Sequence, residues 1–114
     1  MENQMEFYND TIMKYRDKFN EALPNVMKPH AEFTSQVYGD GALPAKMKRL
    51  IALGIALRAG CAGCIIAQTR RAVEAGATKD EVVEAVAVGM TMGGTPAVGW
   101  FWRVIKTLEE MGKW

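Results

Sequence analysis

Cys61 and Cys64 are the only cysteines of the chain, and they stand as a Cys-x-x-Cys within Gly60-Cys61-Ala62-Gly63-Cys64-Ile65-Ile66-Ala67-Gln68. Two thiols at that spacing can close a small disulfide ring without disturbing the rest of a fold. A helix beginning at Cys61 would offer its unpaired N–H groups and dipole to a thiolate there. A free thiol has a pKa of about 8.5, and a helix start with a nearby cation draws it toward 7 or lower. Arg58 and Arg49, on the preceding helical stretch, are the candidate cations. Such a thiolate attacks an electrophile such as a peroxide O–O bond. The second thiol then traps the sulfenic acid as a disulfide.

Two plainer readings compete. Free cysteine is commonly buried, so both could be small core residues of an alanine-rich helix. Zinc needs about four ligands. The chain offers two thiols and one histidine, His30, with nothing at ligand spacing. His30 follows Pro29 and could serve the thiols as an acid–base group. As a lone histidine near a helix start it is otherwise a surface residue. Glu74, Glu81 and Glu84 read as solvated faces or caps. Gly93-Gly94 before Thr95-Pro96 could form an anion nest or a tight turn, and no preceding strand supports a nucleotide-binding fingerprint.

These residues need a scaffold, and nearly all of it reads as helix. Met5, Tyr8, Ile12, Tyr15 and Phe19 recur at helical spacing, predicting a first helix that ends near Leu23. Pro24 suits the first turn of a short segment that Pro29 interrupts, with a further helix through Phe33 and Val37. Gly39-Asp40-Gly41 marks a turn. Pro44 opens a third main helix, with Met47, Leu50, Ile51, Gly54 and Leu57 or Arg58 on one stripe. Gly60 ends it in the left-handed conformation. A fourth helix runs from Cys61 to about Ala75. Thr78 and Glu81 form a capping box for the fifth. Thr95 caps a last helix that carries Pro96 at its first position. Glycine and alanine between Pro44 and Met92 predict closely packed helix axes, with Met47, Met90 and Met92 filling core space.

The expected fold is all-α, a compact bundle of about six helices forming one domain over residues 1–114. The chain has 114 residues, with 14 Lys and Arg against 13 Asp and Glu. That near-neutral balance lacks the basic footprint of a nucleic-acid binder. The polar, acidic start is unlike a signal peptide, and no apolar run approaches the roughly 20 residues of a membrane span. A cytoplasmic location is expected, with no membrane, metal or cofactor partner. In that compartment a Cys-x-x-Cys is more often redox-active or metal-binding than a permanent staple.

Four segments fall in register with a known family. They are Leu43-Pro44-Ala45-Lys46-Met47-Lys48-Arg49-Leu50-Ile51-Ala52-Leu53, Gly60-Cys61-Ala62-Gly63-Cys64, Ala72-Val73-Glu74-Ala75-Gly76-Ala77-Thr78-Lys79-Asp80-Glu81-Val82 and Met92-Gly93-Gly94-Thr95-Pro96-Ala97. Over about residues 40 to 110 the chain resembles the carboxymuconolactone decarboxylase family, in particular its alkylhydroperoxidase D-like branch. The resemblance implies an all-helical fold, assembly as a homo-oligomer (trimer or hexamer), and peroxide reduction through the cysteine pair by a dithiol reductant. It also implies Cys64 as the attacking thiol and Cys61 as the resolving one, whereas the helix-start argument alone favours Cys61. In the family a glutamate and a histidine relay the proton; by position they fall at Arg49 and Gln68. Arginine stays protonated and glutamine does not titrate, so the relay is absent. Arg49 could still favour a thiolate by charge, and Gln68 could orient a water or a peroxide oxygen. The leading expectation is therefore a thiol-dependent peroxidase. The family's namesake lactone decarboxylation, with Arg49, Arg58 and His30 as contributors, and a non-catalytic redox sensor are the alternatives.

Overall fold

The computed structural model describes residues 2–114 and contains six helices among them. Helix α1 covers 4–22 in three stretches, α-helical at Gln4–Phe7, π-helical at Tyr8–Met13 and α-helical again at Lys14–Ala22. Then follow α2 (Pro24–Val37), α3 (Ala45–Ala59), α4 (Ala62–Glu74) and α5 (Lys79–Gly93). Helix α6 joins Thr95–Trp100 to Trp102–Glu110 through a helical turn at Phe101. No strand occurs among the described residues, and no helix is long and apolar enough to cross a membrane. The expected all-helical bundle is thus the observed one.

The helix boundaries follow local chemistry. Gly60 ends α3 at φ +68°, with its own N–H donating to Leu57 and that of Cys61 to Ala56. This Schellman arrangement satisfies carbonyls that the helix end would otherwise leave bare. Thr78 and Glu81 exchange side-chain and backbone hydrogen bonds to start α5. The backbone N–H of Thr78, followed by the Lys46 ammonium at 2.9 Å, holds the Glu81 carboxyl below its ordinary range. At the last helix the expectation shifts by one residue. Gly94 at φ +63° is the N-cap, and Thr95 makes no capping bond.

A second difference lies at Pro29, which does not divide α2. Only one intrahelical hydrogen bond is lost there, to the carbonyl of Asn25, and both residues are exposed so that water can serve that oxygen.

The core is α3 crossing α5, with α4 and α6 closing it. Leu53, Leu57, Ile65, Ile66, Val82, Val104 and Leu108 are essentially excluded from solvent. Burying an aliphatic side chain of this size contributes roughly 1.5–3 kcal/mol. Close approach is secured by glycine. A Cβ on Gly89 would stand 3.2 Å from both the Cα and the carbonyl oxygen of Gly54. The central packing expected from the Gly and Ala content is therefore present. The methionine expectation is corrected in part: Met90 packs on the core, but Met47 and Met92 are exposed, Met92 at 78 %. They stand on the outer edge of the α3–α5 crossing, where no further helix covers them.

Helix α1 is tied to the body at two points. Glu110 accepts from the N–H groups of Gln4 (2.8 Å) and Met5 (2.9 Å), so a distant carboxylate caps the helix start. The buried Arg103 donates to the side chains of Gln4 and Glu2 and lies beside the rings of Trp100 and Trp102. Farther on, the π-helical stretch rests on α4. Past it, α1 leaves the body and contacts mainly α2. Tyr15 and Phe19, which share the apolar face expected of the first helix, are accordingly more than half exposed.

The glycine contact yields a paired test. Gly89→Val should lower stability by about 1–3 kcal/mol, because the added methyls meet backbone that cannot yield. Gly99→Ala, where an added Cβ meets nothing within 4 Å, should be neutral or gain up to about 1 kcal/mol from helix propensity. Urea midpoints of the two variants, compared with the parent chain, read both effects.

Candidate functional site

The Gly60 turn reverses the chain so that Cys61 becomes the N-cap of α4. Its backbone is extended (φ −91°, ψ 101°), and its sulfur accepts from the N–H of Cys64 at 3.2 Å. Cys61 and Cys64 are joined as a disulfide, with Cα atoms 5.2 Å apart, inside the usual span for such bonds. Cys64 is exposed and Cys61 half-buried. The buried-core reading of the pair therefore fails, since one sulfur-bearing residue faces solvent. Among the described residues no three His, Cys, Asp or Glu side chains gather as metal ligands.

The floor of the pair is built from two other elements. A Cβ on Gly63 would lie 2.6 Å from the Cδ1 of Ile12, so the π-helical part of α1 seats directly on the residue between the cysteines. Trp100 of α6 approaches the Gly60 turn, its indole Nε1 standing 3.4 Å from where a Cβ would be. The left-handed backbone at φ +68° is what calls for glycine at position 60, and a Cβ there would only touch the indole.

One turn along α4 from Cys64 stands Gln68. Its Oε1 accepts from Nη1 of Arg49 at 3.1 Å, and its Nε2 makes a long 3.5 Å contact with the Tyr38 hydroxyl. The Arg49 guanidinium lies 3.5 Å from the centre of the Tyr38 ring, a cation–π stack. Burial lowers the Arg49 pKa from its ordinary value, and the Arg71 charge acts in the same direction, while Tyr38 and Glu74 oppose it. The two positions that replace the expected acid–base relay are therefore in direct contact, and they hold each other.

Tyr38 escaped the sequence reading. It lies in no motif, and its place comes from the loop that follows it. Asp40 accepts from the N–H of Ala45 at 2.7 Å and so caps α3 from outside. Lys48 donates to the carbonyls of Val37 (2.9 Å) and Gly39 (2.6 Å). These bonds fold the 38–44 segment against α3 and set the Tyr38 ring upon Arg49. The only advance sign was the turn signal at Gly39-Asp40-Gly41.

The other candidates lie elsewhere. Arg58 is exposed and lines a groove of about 620 Å³ between α3 and α5, together with Met47, Ile51, Ile55, Val88 and Met92. His30 is exposed on α2, which packs chiefly on the last part of α1. The structure thus brings together Cys61 with Cys64, and Arg49 with Gln68. It gives Arg58 and His30 no hydrogen-bonded or ionic side-chain partner among the described residues.

Comparisons with known proteins agree with this geometry. A carboxymuconolactone decarboxylase family protein of Legionella pneumophila, solved in its apo form, is similar over 98 % of this chain and 100 % of its own, at 28 % identity and a TM-score of 0.89. A family protein of Thermotoga maritima, for which an antioxidative role is suggested, is similar over 75 % of this chain and 89 % of its own, at 30 % identity and a TM-score of 0.71. Among curated sequences, an uncharacterised protein of Cupriavidus necator is 34 % identical over 76 residues, 67 % of either chain. The carboxymuconolactone decarboxylase family profile matches residues 24–107, a span that adds α2 to the region of motif resemblance. With a profile match over most of its length and a Cys-x-x-Cys disulfide at a helix start, the chain belongs to the carboxymuconolactone decarboxylase family.

Proposed function

We propose that this protein is a thiol-dependent peroxidase that cycles Cys61 and Cys64 between dithiol and disulfide. The observation that carries the reading is the disulfide at the N-terminus of α4, with one half-buried capping sulfur and one exposed residue. In the first step a thiolate attacks the distal oxygen of a hydroperoxide. The O–O bond breaks, the alcohol leaves after taking a proton, and the sulfur becomes a sulfenic acid. The second thiol then attacks that sulfur, expelling water and closing the disulfide. A dithiol reductant supplies two electrons and two protons to reopen it.

The roles follow exposure and the family resemblance, while the helix start favours a thiolate at Cys61. Cys64, the exposed member, is the one a peroxide or an incoming reductant meets first. Cys61 receives the N–H of Cys64 and sits at the positive end of the helix, so it is stabilised as the thiolate that leaves or resolves. Without a glutamate–histidine relay, protons are exchanged with water at the exposed position. Gln68, held by Arg49, is placed to orient a water or a peroxide oxygen one turn away.

The assembly expected from the family has physical support in the exposed apolar surface. Val26, Phe33 and Val37 of α2 project from the body, Phe33 at 68 % exposure, and the α3–α5 groove is open along its length. Several exposed large apolar side chains on α2 and an apolar groove between α3 and α5 are the kind of surface that subunit contacts cover. The protein is read as a cytoplasmic homo-oligomer, a trimer or hexamer.

Two outcomes are expected. Peroxide should consume both thiols of the reduced chain and leave an internal disulfide, seen by mass spectrometry as the loss of two alkylatable groups. Cys61→Ser should still form a sulfenic acid at Cys64 but halt there. Unchanged thiols would remove the peroxidase reading; lactone decarboxylase activity surviving in the double Cys→Ser variant would favour the namesake chemistry instead. Separately, sedimentation at working concentration should give a species of at least three chains, and a monomer would contradict the assembly.

A further inference from the structure

Arg49 differs from the other sheltered arginines of this chain. Arg70 lies 3.4 Å from Glu74, and Arg103 is bonded to Glu2. Arg49 is half-buried and forms no ion pair among the described residues. Its hydrogen bond is to a neutral amide, and its flat face is taken by the Tyr38 ring. A guanidinium has five N–H donors, and the bond to Gln68 uses one of them. A sheltered cation left without an anion is unfavourable by itself, and such a group is stabilised by whatever anion reaches it.

The surroundings select what that anion is. On α4, Cys64, Gln68 and Arg71 fall at i, i+4 and i+7, which places all three along one face of the helix. Arg49 joins this face through Gln68. Among the described residues the acidic group acting on its charge, Glu74, is already shared between Arg70 and Arg71 at 3.4 and 3.5 Å. Thus a line runs from the redox sulfur, past an amide, to two guanidiniums. At 1.5 Å of rise per residue the spacing from Cys64 to the cationic end is roughly 6–10 Å.

We infer that Arg49, supported by Tyr38, Gln68 and Arg71, is a carboxylate-binding subsite that selects hydroperoxides bearing a carboxylate some 6–10 Å from the O–O group. This rests on the peroxidase reading above and adds the substrate class. Arg49 accepts the carboxylate, Tyr38 and Gln68 hold the guanidinium in place, and the peroxide end of the same molecule reaches the Cys64 sulfur. A planar fork suits a carboxylate better than a point charge would.

The test compares a medium-chain carboxylic acid hydroperoxide with its methyl ester, under dithiothreitol as reductant. The expected kcat/KM ratio is about tenfold in favour of the acid, the worth of one good charge-assisted hydrogen bond. In Arg49→Gln the ratio should fall toward one. Arg71→Gln, at an exposed position, should reduce it by about twofold and provides a reading if Arg49→Gln does not fold. Equal rates for acid and ester in the parent chain would overturn the subsite and leave the peroxidase reading intact. If neither peroxide turns over, that reading fails, and sodium octanoate binding to the oxidised protein decides the subsite alone. Octanoate should bind at least about tenfold more tightly than methyl octanoate, with the margin lost in Arg49→Gln; equal or undetectable binding overturns it.

Discussion

The placement of the cysteine pair depends on a single backbone reversal. Gly60 adopts a left-handed conformation, closes α3 with two backbone bonds, and hands the chain to α4 with Cys61 already in the extended geometry of an N-cap. A residue with a Cβ would meet the intrinsic strain of that conformation. Once the turn is set, the positions of both sulfurs follow. Cys61 faces the first amides of α4, and Cys64, one turn on, faces water. The placement of the sulfurs is a consequence of where one helix stops and the next begins.

The rest of the bundle holds that turn in place. The Gly54–Gly89 contact brings α3 and α5 together, fixing the direction in which α3 arrives. Ile12, in the π-helical stretch of α1, fills the space over Gly63, and α1 is in turn fastened by Glu110 and Arg103 of α6. The start and end of the chain are thereby coupled to the centre. A π-helical turn shifts the register of the side chains that follow it. Here it marks the point where α1 passes from packing on α4 to projecting with α2, so the same irregularity serves the site and exposes the apolar surface beyond it.

Much of this was legible from local signals. Pro24 at a helix start, the Gly60 terminator, the capping box of Thr78 and Glu81, and Cys61 at a helix boundary each depend on residues within a few positions of one another. What was not legible depends on distance. Gln68 meets Tyr38 across thirty positions, and Glu110 caps a helix more than a hundred residues away. Tyr15 and Phe19 continue a sound helical stripe, but periodicity states which residues share a face and not whether that face finds a neighbour. Met47 and Met92 are expected in core space but stand exposed because no neighbour covers their face. Pro29 signals a break by the loss of one hydrogen bond, but an exposed helix can lose that bond to water and continue.

The central claim is that the capping geometry of α4 alters the reactivity of its sulfurs. The most direct measurement is the alkylation rate of each thiol in the reduced protein as a function of pH, resolved by peptide mass spectrometry. The account predicts that one of the two, and by the capping bond Cys61, reacts as a thiolate well below the free-cysteine value of about 8.5. Both thiols titrating at or above that value would contradict it.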